Sequence, residues 1–338
     1  MKDRLNLIIG GASGLVLLIF ISLTKGWGDL IKQLTSLKYE WIIGAFLCMF
    51  LYWIFESKSL QTIMKSLTKV DSLKKSFKVT MIGQFFNSVT PFASGGQPAQ
   101  LFALTKEGIG AGEAGSILMM KYIVYQSVLT VYSIVLIVWK APFFQGKLKN
   151  IFYLSMIGFI VNTGVIIALL IFAKYKKFTH SFFNLLNKLL NKLKIVKDVK
   201  SMEQKLDEQL DKFHDNIIIL KKNKRVIANA IIYTTLQLTV FFAIPYFVYY
   251  SFEGGNAQLI NMIAANAFVM MLTAFIPLPG ASGGAEGGFY IFFQLFFQEQ
   301  NILTGILIWR IITFYSCLIF GAVVLMRTSY SKGLLETK

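Results

Sequence analysis

The chain has 338 residues, of which 55% are hydrophobic and only 15% are charged, and its formal net charge is +17. A soluble domain carries about 25% charged residues, so this composition excludes an ordinary soluble enzyme and predicts an all-α polytopic membrane protein. The positive charge lies between apolar runs, where it suits an anionic inner leaflet. We therefore expect membrane lipids and no nucleic acid as partners, and leave open whether the chain forms a homo-oligomer.

Six apolar runs are long enough to cross a bilayer, at residues 5–23, 41–55, 115–139, 151–173, 226–250 and 303–326. Two further apolar stretches, about 79–104 and 259–297, are interrupted, and they predict re-entrant helix-break-helix hairpins. Most of the 34 Lys and Arg residues fall into segments that then share one side of the membrane. By this charge rule we expect both termini in the cytoplasm and a multi-pass protein of the cell membrane.

The segment 174–225 is the one sizeable polar region, and it lies inside what we predict to be a single transmembrane domain, 1–338. About 50 residues cannot build a substantial core, so no catalytic domain is expected there. Apolar stripes alternate with lysines along it, which is typical of a helix lying on an anionic membrane surface. The alternative is a small helical hairpin packed against the bundle. His180 and His214, both in this segment, are assigned no role.

Two glycine- and proline-rich stretches interrupt the hairpins: the first break, residues 91–96, and the second break, residues 276–288. Pro91-Phe-Ala-Ser-Gly-Gly and Pro279-Gly-Ala-Ser-Gly-Gly differ only at their second position, and a basic residue follows each at a similar distance, Lys121 and Arg310. We interpret this as an internal duplication, inverted relative to the membrane; the alternative is two kinks that look alike by composition.

An ionisable residue inside a membrane span is costly and is a functional candidate. Lys121 and Arg310 predict a phosphate site, because a guanidinium is a bidentate donor and an ammonium is a point charge; the alternative for each is snorkelling to the interface. Glu286 is expected to pair with one of them, to bind a cationic headgroup or to carry a proton, and the alternative is a helix cap in a wet vestibule. We expect both breaks to meet at mid-depth around a polar, positively biased chamber.

The remaining polar and glycine residues of the breaks complete the predicted substrate site. Their amides, hydroxyls and free backbone N–H groups suit a headgroup, whereas the alternative for the Ser and Thr hydroxyls is to satisfy backbone groups freed by the break. The full set is Asn87, Thr90, Pro91, Ser94, Gly95, Gly96, Gln97, Gln100, Lys121, Pro279, Gly280, Ser282, Gly283, Gly284, Glu286 and Arg310. No catalytic residue, cofactor or metal is predicted, because the sequence has no phosphate-binding loop, dinucleotide motif or metal-spaced cluster.

These motifs carry a resemblance to a known family. The stretches are Gly83-Gln-Phe-Phe-Asn-Ser-Val-Thr-Pro91, residues 95–98, residues 275–280 and residues 284–287. Together with Lys121 and Arg310, they resemble the flippase-like transmembrane region of lysylphosphatidylglycerol synthases. The resemblance implies a lipid-translocating domain with re-entrant helices, which in the full-length enzymes moves aminoacylated phosphatidylglycerol outward and gives resistance to cationic antibiotics. A soluble domain of those enzymes transfers the lysine, and we expect a stand-alone form without it here.

We therefore expect a flippase rather than an enzyme. Its cargo would be an anionic or aminoacylated phospholipid, such as lysylphosphatidylglycerol, or a polyprenyl-phosphate-linked lipid. Two alternatives stay open: a membrane transferase of the phosphatidylglycerol lysyltransferase type, and an ion-coupled transporter of small solutes. Gln97 stands where many members of the family carry an acid, so the headgroup stays unassigned.

Overall fold

The computed structural model describes residues 27–68, 72–182, 199–252, 254–273 and 276–328. Within these ranges every regular element is helical, as the composition predicts. The predicted span at 5–23 and most of the first apolar stripe of the polar segment lie outside the described residues.

The described α-helices follow one another with short connections. They are α1 Trp27–Thr35, α2 Tyr39–Leu67, α3 Leu73–Val89, α4 Gly96–Lys106, α5 Ala111–Lys174, α6 Lys176–Phe182, α7 Val199–Lys222, α8 Lys224–Ser251, α9 Leu259–Thr273, α10 Gly284–Phe293, α11 Glu299–Arg310 and α12 Ser316–Met326. Single 3₁₀ turns, Pro91–Ala93 and Pro279–Ala281, lie in the two breaks, and a π-helical turn, Ile311–Tyr315, separates α11 from α12.

Four of these segments are long and apolar enough to cross a membrane. They are α2, the first arm of α5 (Ala111–Phe144), α8, and α11 with α12 (Glu299–Met326). A fifth candidate is the second arm of α5 (Gly158–Lys174) together with α6, bent by 101°. Their surfaces expose large apolar side chains such as Ile43, Val138 and Ile319, which suits contact with lipid. An all-α protein with several spans is thus confirmed, while the count of six spans stays a prediction.

Helix α5 extends from Ala111 to Lys174 but is not straight, because its two arms lie side by side. The Gln126 amide donates a hydrogen bond to the Asn162 side-chain oxygen, 36 residues further along. In a straight helix these residues would lie roughly 54 Å apart. The chain therefore turns back between the arms, in the region that contains Pro142. Residues 140–150, which lie between the predicted spans 115–139 and 151–173, are helical and belong to α5.

Helix α7 packs against α5, as in the alternative given for the polar segment. Its buried side chains are Leu210, Phe213, Ile217 and Leu220. The Gln209 side chain accepts a hydrogen bond of 2.7 Å from the Gly112 backbone N–H. His180 of α6 contacts Asp207 and Asp211 of α7 at 2.9 and 3.1 Å and stacks on His214, whose pKa is lowered by burial. The sequence analysis assigns these two histidines no role, whereas the structure shows that they connect α6 to α7.

The helices on the two sides of each break contact each other, α3 with α4 and α9 with α10. Whether these units are re-entrant hairpins stays a prediction. The backbone of the two breaks follows the same path at matched positions. Thr90 (φ −113°, ψ 145°) matches Leu278 (φ −114°, ψ 149°), and Phe92 (φ 54°, ψ 21°) matches Gly280 (φ 60°, ψ 19°). The conformations diverge at Ser94 and Ser282. The shared left-handed turn supports structural equivalence of the two sequence motifs beyond their composition.

The two breaks also contact each other. Two pairs of helices pack closely in the same bundle: α3 with α12, and α2 with α8. Helix α12 packs on α3 at Gly321, where an added Cβ would lie 2.7 Å from the Phe85 Cβ and 2.9 Å from the Met81 carbonyl oxygen. Helix α2 packs along α8, with Gly44 against the Phe247 ring. Small residues at these crossings let the helix backbones approach, as is common in membrane bundles.

We expect Gly321→Leu to destabilise the protein by about 1–3 kcal/mol, because the new side chain must push α12 away from α3. Thermal unfolding of the purified protein in detergent should show a lower midpoint. Gly164→Leu is the matched control, since nothing lies within 4 Å of a Cβ placed at Gly164. Equal midpoints for the two variants would contradict a close α3–α12 crossing.

Candidate functional site

The second break brings two predicted site residues together. Arg310, at the end of α11, donates from Nε to Glu286 Oε1 at 2.6 Å. Its Nη2 donates to the Gly280 carbonyl oxygen at 3.0 Å and lies 3.5 Å from Ser282 Oγ. Only 4% of the Arg310 side chain is exposed, so the guanidinium does not snorkel to an interface. The guanidinium therefore bridges a carboxylate and the broken backbone.

The local backbone explains why Glu286 can hold this position. Gly283, with φ 85°, turns the chain into α10, and its N–H donates to Glu286 Oε2 at 2.7 Å. Glu286 thus caps the N-terminus of α10 with one oxygen and binds Arg310 with the other. Gly280, with φ 60°, lies so close to the Phe314 ring that any Cβ would collide with it. Both the cap and the ion pair depend on conformations that glycine adopts freely.

The first break is held by its own hydroxyl groups. Thr90 Oγ1 donates to the Phe86 carbonyl oxygen at 2.6 Å and accepts from the Gly95 N–H at 2.8 Å. Ser94 Oγ donates to the Pro91 carbonyl oxygen at 2.9 Å. Ser282 in the second break makes the corresponding contact with the Pro279 carbonyl oxygen, at 2.8 Å. These hydroxyls satisfy backbone groups, as in the alternative stated for them.

The other predicted residues of the first break pack within the hairpin. A Cβ on Gly96 would overlap the Asn87 side chain, and one on Gly83 would overlap the Gln100 amide. Gln100 is buried and its Oε1 has no hydrogen-bond partner, whereas Gln97 is half-buried. Of the polar residues predicted here, Gln100 is the one that presents an unsatisfied buried acceptor.

Lys121 lies in a second cluster and does not contact Glu286. Its Nζ donates to Glu56 Oε1 at 2.7 Å, and both side chains are 9% exposed. Gln84 Nε2 donates to Glu56 Oε2 at 2.6 Å and lies 3.3 Å from the Tyr52 hydroxyl. The Cys317 thiol lies 3.7 Å from Gln84 Oε1, so this cluster joins α2, α3, α5 and α12.

These pairings correct the expectation of a positively biased chamber. Lys121 and Arg310 are each neutralised by a carboxylate at hydrogen-bond distance. A buried cation without such a partner would cost several kcal/mol, which explains why both basic residues are paired. The candidate site is therefore two ion pairs. Arg310 of the first pair directly precedes the π-helical turn Ile311–Tyr315, and Cys317, which follows the turn, is linked to the second pair through Gln84. Such π-helical turns are frequent at functional sites.

Glu56 is the functional candidate that the sequence analysis missed. The predicted span 41–55 stops one residue before Glu56, whereas α2 continues to Leu67. The helical spacing of the apolar residues that follow, Leu60, Ile63 and Met64, could have revealed that the buried face continues. A single acid on that face is then an intramembrane charge.

Two cavities lie elsewhere in the described part of the chain, and neither is lined by the four paired residues. A groove of about 1240 Å³ lies between α5, α7 and α8, and a pocket of about 810 Å³ lies beside α1 and residues 296–301. In the described part of the chain, no three His, Cys, Asp or Glu side chains are arranged to hold a metal ion.

Comparison with known proteins places the chain. A profile of the family described as "Lysylphosphatidylglycerol synthase TM region" matches residues 7–321. The chain belongs to this family. It is also similar to a "UPF0104 membrane protein" from Archaeoglobus fulgidus, with 25% identity over 295 residues that cover 83% of this chain and 84% of the relative. Family and helices together make it a multi-pass membrane protein, and the predicted family resemblance is confirmed.

We expect Lys121→Met to destabilise the protein by about 3–5 kcal/mol, because it leaves the Glu56 carboxylate buried without its cation. The double variant Glu56→Leu with Lys121→Met removes both charges and should recover most of that loss. Thermal unfolding in detergent measures both.

The control is Lys212→Ala, which breaks the exposed Lys212–Glu208 pair on α7 and should leave the midpoint unchanged. A double variant no more stable than Lys121→Met would show that the two charges are not energetically coupled.

Proposed function

We propose that this protein moves phospholipid between the two leaflets, with the headgroup phosphate bound near the junction of the two breaks. The observation that supports this most is the contact between the breaks, together with two ion pairs nearby: Arg310–Glu286 binds the second break, and Lys121–Glu56 binds Gln84 of α3. Substrate sites of many transporters lie where discontinuous helices meet near the membrane midplane. The backbone irregularity that such a site needs is costly in lipid unless it faces protein or a cavity.

The arrangement suits exchange of a carboxylate for a phosphate. The phosphate would replace Glu286 at the Arg310 guanidinium, which can present two parallel N–H donors. It would replace Glu56 at the Lys121 ammonium, a mobile point charge on a flexible stem. The N-termini of α4 and α10 start at the two breaks and add partial positive charge. The acyl chains would stay in the surrounding lipid while one hairpin unit moves against the other.

The topology belongs to the same proposal. Both termini would lie in the cytoplasm of a cell-membrane protein with six spans, and the two hairpins would enter from opposite sides as an inverted repeat. The matched backbone of the breaks supports the repeat. The charge asymmetry of the loops supports the orientation.

The family description points to the lipids to test first. It ties this region to enzymes of lysylphosphatidylglycerol synthesis. Phosphatidylglycerol and its lysylated form share the phosphate that Arg310 and Lys121 would bind, and they differ in the charge of the added amino acid. We therefore propose a phosphatidylglycerol-type lipid as cargo.

The test uses purified protein in liposomes that contain phosphatidylglycerol with a fluorescent acyl chain. Dithionite added outside should quench nearly all of the label if the protein exchanges lipid between leaflets, and about half if it does not. Arg310→Ala should slow the exchange at least tenfold, which corresponds to about 1.4 kcal/mol of lost stabilisation along the transport path.

Arg327→Ala is the matched control, because Arg327 is exposed just beyond α12 and should leave the rate unchanged. Quenching that stops at half in the presence of folded protein, or an Arg310→Ala rate equal to that of the unchanged protein, would rule out the proposed route.

A further inference from the structure

The charge balance of the interior sets a condition on what can be bound there. Within the described spans, the buried or half-buried charged groups at the candidate site are two bases, Lys121 and Arg310, and two acids, Glu56 and Glu286. Each base is paired with one acid, so the site carries no net charge. Adding one phosphate group would leave a single uncompensated negative charge in a medium of low dielectric.

Such a charge is expensive, and proteins usually avoid it by changing protonation. Breaking a buried ion pair by withdrawing one partner costs about 3–5 kcal/mol, because the other partner stays charged and unsolvated. A carboxylate in that situation gains a proton instead. The acid that loses its base to the phosphate is therefore the position at which a proton restores neutrality.

The two acids differ in what would remain around them. Glu286 would keep the Gly283 N–H at 2.7 Å and the positive end of α10 when Arg310 moves away, so a donor and a helix dipole would still face its carboxylate. Glu56 lies within α2, far from any helix end, and keeps only the Gln84 amide. Glu56 thus depends on Lys121 for its charge more than Glu286 depends on Arg310.

The other groups that face Glu56 are uncharged when Lys121 leaves. Tyr52 lies on the same helix, Tyr125 on α5 and Cys317 on α12, all within electrostatic range of the carboxylate. From α3 the neighbour is the neutral Gln84 amide. Phenol and thiol groups supply no cation in place of the ammonium, so a proton is the available counter-charge.

We propose that Glu56 binds one proton when Lys121 transfers to the lipid phosphate, which couples the movement of a monoanionic phospholipid to that of one proton. The proton comes from the aqueous phase on the side where the lipid enters. When the lipid leaves on the other side, Glu56 releases the proton there and the Lys121–Glu56 pair forms again. One negative and one positive charge cross together, so the step is electroneutral. This inference rests on the proposed lipid exchange. It adds the proton as the coupled ion and Glu56 as the acid that binds it.

The test measures where the lipid accumulates. Proteoliposomes with the unchanged protein and acyl-labelled phosphatidylglycerol are given a pH gradient of one unit, and dithionite reports the label in each leaflet. One-to-one coupling makes the ratio between leaflets shift about tenfold towards the alkaline side, because one pH unit is a tenfold difference in proton activity. A potential set with valinomycin and potassium should not shift it. Labelled phosphatidylcholine, which has no net charge, should show no shift with pH.

Variants locate the proton. Glu56→Gln cannot take up a proton, and its ratio should respond to the gradient less than about twofold. Glu56→Asp keeps the acid and should keep the response. Glu107→Gln, at the base of the first hairpin where Glu107 binds Lys75 and Lys78, is the control acid and should also keep it. If Glu56→Gln does not purify as a folded protein, the double variant Glu56→Leu with Lys121→Met is used, because it removes the acid together with its base and should also abolish the response.

Each outcome separates the two claims. Exchange of labelled phosphatidylglycerol whose ratio ignores the pH gradient overturns the coupling and leaves the proposed function standing. A full response in Glu56→Gln, or in the double variant where that variant is used, overturns the assignment of Glu56. Absence of any exchange by folded protein overturns the proposed function itself.

Discussion

A buried guanidinium in a membrane protein must have an anion within hydrogen-bond distance, and much of this structure follows from that requirement. Arg310 contacts Glu286 at 2.6 Å across the second break, where Gly280, Ala281 and Gly283 have positive φ and turn the chain into α10. The same turn exposes the Gly280 carbonyl oxygen, which Arg310 also binds. In a continuous helix through 276–288, the Gly280 carbonyl oxygen would accept a backbone hydrogen bond and would not be free to bind Arg310. The break and the ion pair therefore stabilise each other.

The sequence was sufficient to place the breaks, since proline and glycine stop helices for reasons that act within a few residues. It also matched Pro91–Ala93 with Pro279–Ala281, and the structure gives these turns nearly the same dihedral angles. The sequence analysis names Arg310 as one of two expected partners of Glu286, and the structure pairs these two residues. Local sequence features were therefore sufficient to predict the two breaks and their similarity.

Interactions between distant helices could not be derived in this way. Glu56 and Lys121 are 65 residues apart, and nothing in their spacing indicates that α2 and α5 bring them together. The two arms of α5 contact each other through residues such as Gln126 and Asn162. The sequence between the arms gives no sign of this contact. The predicted span 41–55 leaves Glu56 out of the membrane interior, which is therefore predicted to have a positive bias, whereas the structure pairs each base with an acid. Tertiary pairing, and not local pattern, decides the electrostatics of the site.

A structure of the protein in nanodiscs that contain phosphatidylglycerol would test the central claim, that lipid phosphate enters the interior by displacing the paired carboxylates. We predict phosphate density within hydrogen-bond distance of Arg310 or Lys121, with both helix breaks preserved and at least one of the two carboxylates released from its base. Lipid phosphates found only at the membrane surfaces, above two intact ion pairs, would contradict it.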